Sequence, residues 1–304
     1  MYREEEGEEM DQALEVFVTV VEKGNFTRAA EELLMTQPAV SQYIRALERS
    51  LGTRLLDRSN KYVRLNKAGE IVYHHAKEIL GLYTRMNALV DDVMHRASGD
   101  LSIGSSYTFG EYLLPRMIAS LRQQYPLIRP TITIGNTAEV AEMILRHEAD
   151  VGIVEGDYQD ERLHIEAFAE DEMVVVVPRG QRYDPWSEIP LAELQTETWI
   201  LREQGSGTRE ATERMFAASG FHPRHVVEFG STQLIKESVE AGLGVTLLSR
   251  FVVRKELQLG TLHMLKPNGR PVIRRFSLIS QKTPYHTKAV EVFLELLRSR
   301  QGMF

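Results

Sequence analysis

The chain has 304 residues, 43% apolar and 26% charged, a balance that suits a globular protein of two or three domains. It holds no cysteine, which excludes disulfides and thiolate metal sites and fits a reducing, cytoplasmic setting. No apolar run nears the ~20 residues of a membrane span and no signal-peptide pattern follows Met1, so neither export nor a membrane partner is expected. The net charge of −7 argues against nucleic acid only as an average. Between Thr36 and Lys67, seven basic residues (Arg45, Arg49, Arg54, Arg58, Lys61, Arg64, Lys67) face only Glu48 and Asp57, a local +5 of the kind phosphate attraction needs.

Residues 1–10, MYREEEGEEM, are expected to be a disordered acidic extension, or to precede a true start at Met10. ALEVFVTVVEKGNF then reads as an amphipathic helix with Leu14, Phe17, Val18 and Val21 on one face, ended by Gly24. Phe26–Leu47 reads as two short helices joined by a tight turn. The first carries Ala29, Ala30, Leu33 and Leu34 at helical spacing. Thr36 stands at the next N-cap, with Gln37 and Pro38 in the first turn. The second helix buries Ala39, Val40, Ile44 and Leu47 and turns Gln37, Ser41, Gln42 and Arg45 outward. Amides, a hydroxyl and a guanidinium on one face suit base edges and phosphates in a major groove. The plainer alternative is a helical hairpin with a solvated face. Gly52 stops the helix, and a short β-ribbon, Arg58–Leu65, follows. Its cluster of Arg54, Arg58, Lys61 and Arg64 is either a wing on phosphate or minor groove or a solvated cationic hairpin.

The whole run resembles the winged helix-turn-helix of the LysR-type transcriptional regulators. The matching residues are Phe17, Gly24, Phe26, Ala29, Ala30, Leu33, Gln37, Pro38, Ala39, Ser41, Ile44, Leu47, Glu48, Leu51, Gly52, Leu55, Arg58, Leu65, Ala68 and Gly69. Two departures stand out, Leu56 where the family usually has Phe and Asn66 where it usually has Thr. Asn66 still suits a helix cap. With the surface pattern, the resemblance gives a DNA-binding domain over 11–65 and as candidates Arg28, Thr36, Gln37, Pro38, Ala39, Ser41, Gln42, Arg45, Arg54, Arg58 and Lys61.

Asn66–Arg96 lacks proline and has one internal glycine past its first turn, Gly81. Val72, Ala76, Ile79, Tyr83, Met86, Val90 and Val93 are spaced 4, 3, 4, 3, 4, 3, a narrow seam that predicts a long helix paired with another helix. Pairing with its own copy gives a dimer, the role of the family's linker helix, here assigned to 66–98. His74 and His75 read as solvated helix residues.

Beyond the break at Ala97–Asp100 the pattern alternates. Strands are expected at 101–105, 131–135, 150–155, 173–177, 199–201, 226–229, 245–248 and 275–280. Helices are expected at 112–124, 137–147, 209–218, 232–241 and 287–300. Alternation means an α/β domain. The resemblance further implies a two-lobed, periplasmic-binding-protein-like effector domain, with lobe I over 99–170 and 272–304 and lobe II over 171–271. The fold class is therefore multi-domain: an N-terminal all-α winged helix-turn-helix with a long linker helix, then an α/β two-lobed domain.

Three turns place small polar groups between a strand and a helix, where α/β sheets bind ligands. They offer Ser105, Ser106 and Thr108; Asn136 and Thr137, with Asn136 and Glu139 at capping-box spacing; and Gly205, Ser206, Gly207 and Thr208 in REQGSGTRE. Glycine backbone, hydroxyls and helix starts together suit an anion, although each turn alone reads as an ordinary capped turn. Arg202 and Arg209 flank the third turn and read as solvated or salt-bridged surface residues. REQGSGTR resembles family members that regulate sulfur assimilation or carbon fixation, which implies an inorganic oxyanion or a small phosphate or carboxylate ester.

Enzyme motifs fail. EQGSGT lacks the G-x-S-x-G spacing, Leu247 stands where Gly242-Leu243-Gly244 needs a third glycine, and no phosphate-binding G-x-x-x-x-G-K-[ST] occurs. His222 and His225 form a lone H-x-x-H and read as surface residues. The expectation is a cytoplasmic regulator without enzyme activity, cofactor or metal. Its expected partners are double-stranded operator DNA, a small anionic effector and its own copy as homodimer or homotetramer, with RNA polymerase a further partner the family allows. The rival readings are a small-molecule-binding protein with an inert N-terminal domain and a cytoplasmic enzyme on the α/β domain.

Overall fold

The computed structural model describes residues 2–59, 62–94, 97–180, 187–267, 271–283 and 285–299; for 2–10, 58, 59, 62, 88, 91–94 and 267 it describes backbone only. Two compact units form, residues 1–90 with 146–148 and residues 91–145 with 149–304. Among the described residues no helix is long and apolar enough to cross a membrane.

The first unit holds α1 (Tyr2–Lys23), α2 (Phe26–Glu32), α3 (Gln37–Ser50), an antiparallel ribbon of β1 (Leu56–Ser59) and β2 (Tyr62–Leu65), and α4 (Lys67–Met94), which continues past Val90. Its core joins Phe17, Val20, Ala29, Val40, Ile44, Leu47 and Leu55. Helix α1 begins at Tyr2, so the backbone of the acidic run, expected as a disordered extension, is helical. Glutamate is a good helix former, and its charge is favoured near a helix N-terminus. Asn25 caps α2 by accepting from the backbone N–H groups of Thr27 and Arg28, and Thr36 caps α3 by accepting from that of Ala39. Leu34, expected on the inner face, is 94% exposed at a φ of 53°, because α2 has ended at Glu32 and the turn carries the residue outward. Asn66 accepts from the Gly69 N–H at 2.9 Å and starts α4. A Cβ on Gly69 would stand 2.1 Å from the Leu55 carbonyl oxygen, so only glycine lets the helix start this close to the ribbon.

The expected seam on α4 divides. Ala76 is buried in the core of its own unit and Val72 is packed against it, while Ile79, Tyr83, Met86 and Val90 stay exposed. The reason lies in α1, which the first turns of α4 meet: Tyr73 and Lys77 both donate to Glu22 of α1. One 3–4 repeat thus serves two partners in succession. The exposed stripe also includes Ile71 and Leu82. The Val93 side chain lies outside the described residues.

The second unit holds β3 (Gly99–Ser106), α5 (Tyr107–Tyr112), α6 (Leu114–Gln124), β4 (Ile128–Gly135), α7 (Thr137–Leu145), β5 (Val151–Glu155), β6 (Leu163–Pro178), β7 (Glu188–Ile189) and a 3₁₀ turn at Leu191–Leu194. After these come β8 (Thr198–Leu201), α8 (Gly207–Ala218), β9 (His225–Glu228), α9 (Thr232–Glu240), β10 (Thr246–Ser249), α10 (Arg254–Leu259), β11 (Leu262–Pro267), β12 (Val272–Gln281) and α11 (Lys288–Ser299). Strands β4, β3 and β5 are parallel, and β12 runs antiparallel beside β5. The long strands β6 and β12 pair from Val272↔Met173 to Gln281↔Leu163, passing from one lobe to the other. Lobe I packs α6 and α11, which contributes Phe293, over Leu101, Ile103 and Ile153. Each such fully buried side chain stabilises by about 1.5–3 kcal/mol. Lobe II centres on Trp199, whose ring meets Phe216 edge-on at 4.8 Å and whose Nε1 donates to the Leu194 carbonyl. The helix expected at 112–124 is α6, which starts at Leu114 because Pro115 suits a first turn and not a helix interior, and the short α5 before it was not expected. The sequence reading missed β11 and α10, since His263 and Lys266 interrupt the apolar pattern of the strand.

Candidate functional sites

Helix α3 presents Gln37, Pro38, Gln42, Arg45 and Arg49 to solvent, with Ala39 and Ser41 half-buried. The Gln37 side-chain amide donates to the Ser41 hydroxyl at 2.9 Å, and the Arg45 Nε donates to the Ser41 carbonyl at 3.2 Å, so the face is ordered before any ligand arrives. Next to it lies an open groove of about 840 Å³ lined by Pro38, Gln42, Arg45, Glu48, Arg49, Gly52, Thr53 and Arg54. Glu48 is tied down by the Leu55 N–H at 3.0 Å, which leaves a groove dominated by three guanidinium groups. Arg28 is exposed on α2. In the ribbon Arg58 pairs with Val63, but its side chain and the whole of Lys61 lie outside the described residues.

The effector candidates of the second unit behave in two ways. Some are structural. The Ser105 hydroxyl donates to the Ser106 carbonyl, that of Ser106 to the Ile153 carbonyl and that of Thr137 to the Glu155 carbonyl. Ser206 caps α8 by accepting from the Thr208 N–H. Asn136 and Glu139 form the expected reciprocal capping box, at 2.7 and 3.0 Å. A Cβ on Gly207 would stand 1.9 Å from the Glu155 carbonyl oxygen, which fixes how closely the start of α8 meets lobe I. Gly205 accepts from the Ala138 N–H across the same seam.

Thr108 of lobe I and Thr208 of lobe II converge instead on one cation. The Arg274 guanidinium, fully buried on β12, donates to both hydroxyls at 2.8 Å. Its Nε donates to Asp171 at 2.7 Å, and its Nη1 meets Glu155 at 2.6 Å. Asp171 also accepts from the Ser249 hydroxyl, and Glu155 from the Phe109 N–H at 3.2 Å. Burial alone would depress the Arg274 guanidinium, but Glu155 and Asp171 outweigh it and hold the group above its ordinary pKa. Burial pushes the Asp171 carboxyl up, with Arg274 opposing.

Arg202, expected at the surface, is 2% exposed. It is bidentate to Glu203 at 2.7 Å, donates to Thr232, and lies 4.3 Å over the Tyr107 ring. The sequence reading set Arg202 aside and missed Arg274, Glu155 and Asp171. The one available signal was an arginine pair inside the apolar strand VIRRFSLIS. Arg209 is salt-bridged to Glu213 and Glu228, as expected. Among the described residues, His74, His75 and Glu78 bring metal-ligand atoms within 4.8 Å of one another. Ordinary i,i+3 and i,i+4 pairing on α4 accounts for them.

Comparison with known proteins places this geometry in a family. Residues 12–70 match the bacterial regulatory helix-turn-helix protein, lysR family, and residues 95–302 match the LysR substrate binding domain. The HTH-type transcriptional regulator CysL of Bacillus subtilis (strain 168) is 38% identical over 94% of this chain and 96% of its own. The regulatory domain of Synechocystis PCC6803 CcmR, solved in complex with 2-PG, is 27% identical with a TM-score of 0.62, over 67% of this chain and 98% of that one. Full-length CbnR, solved with its target DNA, shares the fold at 22% identity and a TM-score of 0.73, over 95% of this chain and 99% of its own. The chain belongs to the LysR-type transcriptional regulators, a family of helix-turn-helix regulators rather than enzymes.

Proposed function

We propose that this cytoplasmic regulator binds operator DNA as a homodimer or homotetramer and changes its grip when a small anion binds between the lobes of the second unit. The observation that carries the reading is the ordered, cationic outer face of α3. Gln37, Ser41, Gln42 and Arg45 read base edges from it, while Arg28, Arg54, Arg58 and Lys61 supply attraction to phosphate. The exposed stripe Ile79, Tyr83, Met86 and Val90 pairs α4 with a second copy and presents two recognition helices to two half-sites. The effector is read as anionic because hydroxyls of both lobes meet at a buried guanidinium and because the similar CcmR domain was solved with 2-PG. It acts by differential affinity for two arrangements of the protein, without which it would shift nothing.

The test uses a site selected from random DNA by the full-length protein, with its affinity measured at constant ionic strength against phosphate, sulfate and 2-PG. A saturable change with one of them is expected. Identical affinities with and without all three would remove the anionic effector from this reading.

Glutamine 42 carries a sharper expectation. Gln42→Ala should reduce the preference for the selected site over random DNA by about 1–3 kcal/mol, the loss of one bidentate base contact, while Arg54→Ala should weaken both alike. Competition binding measures the two ratios. Unchanged discrimination in Gln42→Ala would remove α3 as the reading element.

A further inference from the structure

The buried cluster around Arg274 has one cation and two carboxylates. Arg274, Glu155 and Asp171 are all nearly or fully inaccessible, so water does little to soften the imbalance. An anion added to this cluster would be the third negative group beside one guanidinium, and like charges at such range in a poorly solvated site repel strongly. An anion joins without that penalty only where a carboxylate leaves.

The two carboxylates are not held alike. Asp171 stands directly opposite Arg274 in the ladder of β6 and β12, and Ser249 donates to its second oxygen at 2.6 Å. Both of its oxygens are fixed, one by the strand register and one by a short hydrogen bond. Glu155 is the last residue of β5, followed by Gly156 at a φ of 95°, where the chain turns away. Apart from Arg274, its carboxylate is held only by the Phe109 N–H at a long 3.2 Å among the contacts described. Thr108 and Thr208 each accept from Arg274 and keep a hydroxyl hydrogen to donate. The position of the Glu155 carboxylate is therefore a ready anion seat: a guanidinium and a backbone N–H, with a hydroxyl from each lobe on the same guanidinium.

We infer that Glu155 is an internal stand-in for the effector, and that binding is an exchange in which the effector's carboxylate, sulfate or phosphate group displaces the Glu155 carboxylate from Arg274. This rests on the reading of an anionic effector between the lobes. The exchange keeps the charge around Arg274 constant for a monoanionic group. Its effect on affinity follows from populations: when a protein is competent to bind in only a fraction of molecules, the apparent dissociation constant is the intrinsic one divided by that fraction. With Glu155 seated in nine molecules of ten or more, vacating the seat tightens anion binding about tenfold or more. Glu155→Gln does this with little change of shape, since the amide keeps the size of the carboxylate but loses the negative charge that pairs it with the guanidinium.

The experiment measures binding of inorganic phosphate, sulfate and 2-PG to the full-length protein at constant ionic strength, by calorimetry and thermal shift, in wild type, Glu155→Gln and Asp171→Asn. Both variants remove one negative charge, but only the first empties the seat. The expected result is at least tenfold tighter binding in Glu155→Gln, with a smaller gain or a loss in Asp171→Asn, where Arg274 loses its anchor. Equal gains in the two variants would mean a general charge effect and overturn the exchange. Wild-type binding that is unchanged or weaker in Glu155→Gln would overturn the exchange and leave the anionic effector standing. Binding in Glu155→Gln but not in wild type supports the exchange while removing these three anions as effectors. No binding in either overturns both. The ligand-free melting temperature of each variant identifies one that has failed to fold. Should Glu155→Gln fail, Glu155→Ala takes its place with the same expected gain and the same overturning results.

Discussion

Replacing Ile79 and Met86 together by aspartate is expected to yield a monomer and to lower affinity for a two-half-site operator by about 10²–10⁴, the advantage of tethering the second contact. Ile79 and Met86 are 40% and 50% exposed on α4, in a stripe continued by Ile71, Leu82, Tyr83 and Val90. Apolar side chains aligned along one helix face and open to solvent mark a pairing surface. Aspartates there would have to be buried without partners in the pair, at a penalty of several kcal/mol each. Neither residue belongs to the buried core of its unit, so the monomer should keep its fold. Sedimentation at micromolar concentration and anisotropy on one-half-site and two-half-site DNA check the two halves of the claim. Half-site binding should survive. A wild-type protein that sediments as a monomer under those conditions would end this role for α4.

The same helix shows what the sequence revealed and what it withheld. A 3–4 repeat announces that a face is buried against a helix, but it does not say which helix. Val72 and Ala76 meet the core of their own unit, and only the later positions remain for a partner. Local devices were legible because their partners are close in the chain: Thr36 caps a helix that starts one residue later, and Asn136 and Glu139 bond across three residues. The alternation of strands and helices likewise read out as α/β. Arg274 was not legible, because its meaning comes from partners 103 and 166 residues away, brought together by two long strands and two lobes. Arg202 was misread for a similar reason. In sequence it is a cation beside a polar turn, and only the packing of Tyr107 above it and Thr232 beside it removes it from solvent.

Arg274→Met is expected to destabilise the second unit by about 3–5 kcal/mol, the range for breaking a buried ion pair by removing one partner. Methionine fills much of the volume, so the loss is chiefly electrostatic. Asp171 and Glu155 would remain buried without their cation, and Thr108 and Thr208 would lose a donor. Removing the charges together should undo most of this, because a buried ionic cluster replaced as a whole by neutral groups is often close to neutral. Arg274→Met with Glu155→Gln and Asp171→Asn should therefore recover more than half of the lost stability. Both tryptophans of the chain, at 186 and 199, fall in the stretch 95–302 that matches the substrate binding domain, so urea unfolding followed by tryptophan fluorescence reports on that domain within the full-length protein. The midpoint should fall in the single variant and climb back in the triple one, with the slope unchanged. A single variant within about 1 kcal/mol of wild type would mean that the carboxylates around Arg274 are held neutral or solvated, and the buried cluster would lose its part in joining the lobes.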